Sequence, residues 1–252
     1  LCRSSAASDV YKRQLLMASA VPYCRAWDPA YAYELASIIR HGIDEMWGEN
    51  LDVFHYVMLY NENQQQMPKP PDVDDGIVRG AYKIEELGEG RKKIRLLGSG
   101  PILRYVREAA SELLSEHGIS SEVWSVTSYG ELRREGLEHE RSRRLNPEIS
   151  EEPYVSRCFG DETPTVATSD YICSVPEMIQ RWIGGRYIVL GTDGFGRSDT
   201  REALRSFFEI DTNSIVVASI SALEQEGTLP SGTVEKELEK RNLNKERIDK
   251  AE

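Results

Sequence analysis

Apolar and polar positions along this chain repeat in two periods, and the switches between them predict the elements. Residues 21–26 suit a short strand. Asp28 followed by Pro29 is a helix start signal, with Asp28 as the cap. Tyr31, Leu35, Ile38, Ile39, Ile43 and Met46 then recur at helical spacing, which predicts one buried face ending near Gly48. Residues 53–59, VFHYVML, are apolar on both faces, the pattern of a buried parallel strand. The run 61–71, NENQQQMPKPP, breaks the pattern. Pro68, Pro70 and Pro71 continue neither a helix nor a central strand, so the run reads as an interdomain linker.

Beyond it, residues 76–87 predict a short helical turn and a strand, AYKIEEL. Gly88 and Gly90 predict a hairpin-like turn into a strand at 93–97. A helix is expected over 101–117, with Leu103, Val106, Ala110, Leu113 and Leu114 inward, then a strand at 122–126 and a helix at 129–145 with a charged outer face. A loop at 146–153, a strand at 165–168, a short helix at 176–183 and a strand at 187–190 follow. The last strand turns through Gly191, Gly194 and Gly196 into a helix, and Asp199 with Glu202 reads as a capping box. A helix over 212–226, with Val216, Ile220 and Leu223 inward, and a charged helix from Thr233 into a frayed end complete the chain. Strands alternating with helices predict an α/β fold: a mainly parallel open sheet with helices on both faces. The hairpin adds one antiparallel edge strand, and no internal repeat is visible.

The 252 residues suffice for one large domain or two modest ones, and 40% hydrophobic with 29% charged residues is an ordinary globular balance. Net charge changes the picture more. At −11, the chain argues against nucleic-acid or anionic-membrane partners, which need clustered Lys and Arg. The basic run from Arg133 to Arg144 is interrupted by Glu135, Glu138 and Glu140 and reads as a solvated helix face. Cys2, Cys24, Cys158 and Cys173 form no C-x-x-C pair, and His41, His55, His117 and His139 are scattered, so a reducing cytoplasm is expected and a zinc site is not. No apolar run reaches the ~20 residues of a membrane span. Residues 1–20 are set aside as a non-native or disordered leader. LCRSSAASDVYKRQ lacks apolar periodicity and resembles a translated sequencing adapter, and the following LLMASA imitates a signal peptide with too short an apolar core.

Candidate chemistry is sparse. The turns at Gly98–Ser99–Gly100 and from Gly191 to Gly196 either cradle a phosphate on free N–H groups or are structural strand-to-helix turns. Neither is G-x-G-x-x-G or a P-loop. Asn61, Glu62 and Asn63 stand at a strand end, where open α/β sheets bind ligands, or they satisfy their own loop.

Several segments in register carry a family resemblance: DPAYAYELA at 28–36, NEN at 61–63, LLGSGPILRYVREAA at 96–110, SVTSYGELRREG at 125–136, and GTDGFGRSD from Gly191 followed by R-x-x-L-R-x-x-F. From Val21 onward the chain resembles the homodimeric pyruvate dehydrogenase E1 components, thiamine-diphosphate enzymes of the transketolase superfamily. The resemblance implies that residues 21–66 are the tail of the middle, pyrimidine-binding domain, and that residues 67–252 are a transketolase-type C-terminal domain. It implies a parent that decarboxylates pyruvate on thiamine diphosphate and magnesium and passes the acetyl group to the lipoyl group of E2, the dihydrolipoyl acetyltransferase. It also implies a homodimer in a bacterial cytoplasm. The family's magnesium motif, its pyrimidine-facing glutamate and its histidine-bearing segment belong upstream of this sequence. No catalytic, cofactor-binding or metal residue is therefore assigned in this chain, and this part alone is expected to hold no cofactor and to be inactive. Two other readings stand beside this one: a free-standing, non-catalytic binding or assembly module on the same fold, and another thiamine branch such as transketolase itself, which DPAYAYE and GTDGFGRSD fit less well.

Overall fold

The computed structural model describes residues 2–243, with side chains from Tyr11 onward. The end of the tail and the Cys2 side chain lie outside them. Five strands form the main sheet: β3 (Ala81–Leu87), β4 (Lys93–Gly98), β5 (Ser120–Val126), β6 (Thr165–Thr168) and β7 (Tyr187–Leu190), in the order β3-β5-β4-β6-β7. All neighbours are parallel except β3, which runs antiparallel to β5 at the edge. The antiparallel edge strand is as expected, but it is not half of a hairpin. β4 leaves its sequence neighbour and pairs between β5 and β6. A strand buried on both sides, as β4 is from Ile94 to Gly98, belongs at the centre of a sheet covered on both faces.

Alternate residues of β4 feed the two cores. Ile94 and Leu96 pack with α4 (Leu103–His117) and α8 (Thr212–Gln225). Leu97 packs with α5 (Tyr129–Leu145), α6 (Tyr154–Phe159) and the 3-10 turn Pro176–Trp182. α6 follows the loop expected at 146–153, in a stretch for which no element was expected. Arg95, 2% exposed, shares the Leu97 side and is held by Glu122 and by both carboxylate oxygens of Asp161. α4 ends at Gly118, whose φ of 62° lets the N–H groups of Gly118 and Ile119 reach the last carbonyls.

A second, two-stranded parallel sheet joins β1 (Cys24–Trp27) to β2 (Phe54–Val57), with α2 (Ala32–Ile43) between them running into a π-helical turn at Asp44–Gly48. Two expectations fail here. β2 is half-exposed rather than buried, with Phe54 and Leu59 in solvent. On α2, Tyr31 and Ile38 are buried, but Ile39, Ile43, Met46 and Trp47 point outward. The face of α2 laid on the protein instead carries Glu34, Ser37 and Gly42.

Most of residues 1–20, set aside above as a leader, are described. They form a helix, α1 (Cys2–Ser19), whose Leu15 packs beside Ala26 and Met58, and whose Gln14 accepts the Tyr56 hydroxyl at 2.9 Å. Its apolar residues find partners in the β1–β2 unit, and local periodicity carries no trace of such partners. α3 (Asp74–Arg79), α7 (Arg201–Phe207) and α9 (Thr233–Lys240) complete the described chain.

Candidate functional site

The carboxyl ends of both sheets converge on one polar seam. Asp28 ends β1, and its N–H donates to Thr127 O at 2.8 Å while its carbonyl accepts from Gly100 N at 3.2 Å. The cap role expected of Asp28 therefore fails. α2 begins four residues later, at Ala32 behind the cap residue Tyr31, and Glu34 reaches back to accept from the N–H groups of Ala30 and Tyr31. The Asp28 side chain turns inward instead. Its Oδ1 accepts the Tyr60 hydroxyl at 2.6 Å, and Tyr60 lies 2.8 Å from the Tyr171 hydroxyl. Tyr11 stacks on Tyr171 and meets Tyr60 edge-on. Burial pushes the Asp28 carboxyl up to about 7, against bonds from Tyr60 and Ser99 that favour the anion. Burial likewise lifts Asp170 to about 6, opposed by the charges of Arg205 and Lys12.

Two further carboxylates cross the same seam. Glu34 is fully buried and accepts four bonds: two from backbone N–H groups, one from Tyr82 OH on β3 and one from Ser125 Oγ on β5, both at 2.6 Å. Burial still raises its pKa. Glu62 forms a two-pronged pair with Arg205 on α7, at 3.0 and 2.6 Å, and meets Arg104 at 2.9 Å. Burial would raise the Glu62 carboxyl, but the bonds and charge of Arg205, with Arg104 and Arg201, hold it below the usual range. Of the three candidate contacts in NEN, the structure thus uses Glu62 as a clamp. The carbonyl of Asn61 accepts from Arg201, and Asn63 lines a hollow of about 460 Å³ with Arg104 and Arg201. A second hollow of about 340 Å³ lies between Tyr60, Asp170 and Arg205. Carboxylates already answer the arginines at both hollows, so the arrangement is a salt-bridged joint rather than an anion receptor.

Both glycine turns are filled from within. Gly100 has φ 47°, and a Cβ there would sit 2.5 Å from Asp28 Oδ1. A Cβ on Gly191 would meet Tyr171 O at 2.7 Å and Cys173 N at 2.8 Å. Thr192 donates to Asp170 O, and Asp193 accepts from Cys173 N. The expected capping box is not formed, and the cap shifts by one residue. Thr200 is the cap, its hydroxyl accepting from Ala203 N at 3.3 Å, while Asp199 accepts from Thr200 N. Arg197 lies over the Phe207 ring at 4.1 Å. Among the described residues, one group has metal-ligand spacing: Glu116, His117 and Glu237, at the amino ends of the strands. Lys240 and Arg241 already pair with those glutamates. A diphosphate with magnesium would meet the Asp28 carboxylate at one turn, backbone walls at the other and two cations at the acidic group. The residues present do not fit it. No described helix is long and apolar enough to cross a membrane.

Comparison with known proteins agrees with this architecture. Residues 80–211 match the transketolase-like TK C-terminal domain, and residues 8–67 match the pyruvate dehydrogenase E1 component middle domain, a match that begins inside α1. The chain is 44% identical over 236 residues to the pyruvate dehydrogenase E1 component of Pseudomonas aeruginosa, covering 92% of this chain and 27% of that protein. With the Escherichia coli K12 protein of the same name it shares 40% over 232 residues, 91% of this chain and 26% of the relative. The chain thus spans about a quarter of the length of these curated relatives. Among solved structures, transketolase from Leishmania mexicana superposes with a TM-score of 0.61 at 16% identity, over 88% of this chain and 28% of that one. A split-gene transketolase, described as an inactive β4 tetramer, superposes at 0.53 with 18% identity, over 84% and 61%. Those two likenesses concern the fold alone. By its sheet order, its two matched segments and its relatives, the chain belongs to the transketolase-like C-terminal domain family and is a homologue of the pyruvate dehydrogenase E1 components.

Proposed function

We propose that this chain is the C-terminal part of a pyruvate dehydrogenase E1 component and serves its structure and dimer assembly. The parent would decarboxylate pyruvate on thiamine diphosphate with magnesium and pass the acetyl group to lipoyl-E2 in a bacterial cytoplasm. Residues 21–66 would be the tail of the middle domain, and 67–252 the C-terminal domain. The observation that carries the reading is the seam. Asp28, Glu34 and Glu62, all before residue 67, are each bonded to groups after it: Gly100 N, Tyr82 with Ser125, and Arg205 with Arg104. Such a joint fixes one domain on another and leaves no cradle for a cofactor. The outward apolar residues Ile39, Ile43, Met46 and Trp47 suit a second subunit.

Calorimetric titration of the 252-residue chain with thiamine diphosphate and magnesium tests the assignment. No saturable heat is expected. A micromolar dissociation constant would place a cofactor site in this chain and sink the reading.

A further inference from the structure

Between α1 and α5 lies a cavity of about 680 Å³, within the ~300–1,000 Å³ of small-molecule sites. Asp28 lines it, whereas Tyr60, Tyr171 and Glu62 do not, so it is separate from the hollows of the seam. Leu15, Ala26, Val126, Leu137, Val175 and Met178 give it apolar walls. One polar group on its lining is buried without a partner. The Tyr129 hydroxyl, on a residue 4% exposed, makes no hydrogen bond among the described residues. Buried polar atoms are nearly always satisfied, so one left open on a cavity wall points to a group that enters the cavity.

Its other end is cationic, unlike the chain as a whole. Arg133, Arg134, Arg141 and Arg144 of α5 line it together with Arg181. Three of these are answered: Arg134 by Glu131, Arg141 by Glu138 and Arg181 by Glu140. Arg133 and Arg144 are exposed and make no ion pair among the described residues. Eleven residues apart on α5, they stand about 16 Å from each other along the helix, so each offers a separate guanidinium fork beside the apolar cavity, and one such fork binds a carboxylate in a parallel pair of hydrogen bonds.

We propose that this cavity is a binding site for an amphipathic organic carboxylate. The ligand's apolar body lies against Leu137, Val175 and Met178. A hydroxyl or amide at its inner end bonds to Tyr129, and its carboxylate meets one of the two free forks, Arg133 or Arg144. The site lies outside the seam and does not depend on the E1 reading.

The full chain is titrated, by calorimetry and ligand-observed NMR, with terminally hydroxylated carboxylates from hydroxybutanoate to hydroxydecanoate. Hexanoate, hexanediol and inorganic phosphate are the controls. One member of the series should bind saturably at one site. Removing its hydroxyl or its carboxylate should weaken it by about tenfold or more, the worth of one buried hydrogen bond to a charged or unpaired group. The double variant Arg133→Glu, Arg144→Glu changes two exposed residues and should keep the fold, as far-UV circular dichroism will show, while losing at least the same factor. Met178→Trp should close the cavity to the whole series. If Met178→Trp unfolds, the arginine variant alone decides. The proposal is overturned if no member binds saturably, if hexanediol or inorganic phosphate binds as well as the hydroxy acid, or if the arginine variant binds unchanged.

Discussion

The two faces of the β1–α2–β2 unit reverse the usual order of a surface helix and strand. Toward the main sheet it turns Asp28, Glu34, Ser37 and Glu62, all well buried and mostly bonded across the seam. Toward solvent it turns Ile39, Ile43, Met46, Trp47, Phe54 and Leu59, with Trp47 88% exposed. A unit stabilised by one layer would do the opposite. Directional bonds fix its orientation on the C-terminal sheet, and its apolar residues stand in solvent.

The strongest way to break the seam is at Glu62 and Arg205, whose side chains are 9% and 6% exposed. Arg205→Ala leaves Glu62 with Arg104 as its closest cation and should lower stability by about 3–5 kcal/mol. Urea unfolding of single and double variants measures it. Adding Glu62→Ala should restore part of the loss, and strict additivity would show that the pair is not coupled.

The seam should also respond to pH. Burial raises Asp28 from 3.8 to about 7, so the folded chain holds a proton there that the unfolded chain releases. The stability this gives is full below about pH 4 and is lost as pH rises through about 7. Asp28→Asn keeps an oxygen for Tyr60 and should flatten the fall in melting temperature over that window. Asp170, raised to about 6, should leave a residual slope below it. An unchanged profile in Asp28→Asn would mean that Asp28 is ionised in the fold.

A smaller effect tests how α7 presents Arg201 and Arg205. Thr200→Ala removes the cap and should cost about 0.5–2 kcal/mol, while Asp199→Ala should cost less. The reverse order in thermal melts would restore the cap to Asp199. Least of all should change on the outer face. Ile43→Asp with Trp47→Lys should alter unfolding free energy by no more than about 0.5 kcal/mol. It should nevertheless abolish self-association of the chain in sedimentation. A parent chain that is already a clean monomer at high concentration would remove the second half of the comparison.

Much of the fold was legible because period and punctuation agree in the C-terminal sheet. β6, β7 and α5 fall on the residues that alternation and turn chemistry point to. The edge strand was legible in direction but not in partner, since β3 and β5 lie a whole crossover apart in sequence. The inversion of α2 was not legible. Periodicity reports that one stripe is apolar, and does not say which layer that stripe meets. Asp28 followed a local rule, Asp-Pro before a helix, until a tertiary one displaced it. Glu62 finds its arginines 42 and 143 positions away, a distance at which no spacing rule speaks.

Gly100 gives the seam a signature in inheritance as well as in energy. Its missing side chain is the space that the Asp28 carboxylate occupies, with 2.5 Å between that oxygen and any Cβ placed there. Neither residue can be altered in bulk without moving the other, although 72 positions separate them in the chain, from 28 to 100. Across homologous sequences the two should therefore mutate as a pair. A relative that carries a side chain in place of Gly100 should have given up the acid in place of Asp28, and a lineage that crossed from one state to the other must have passed through a weakened joint.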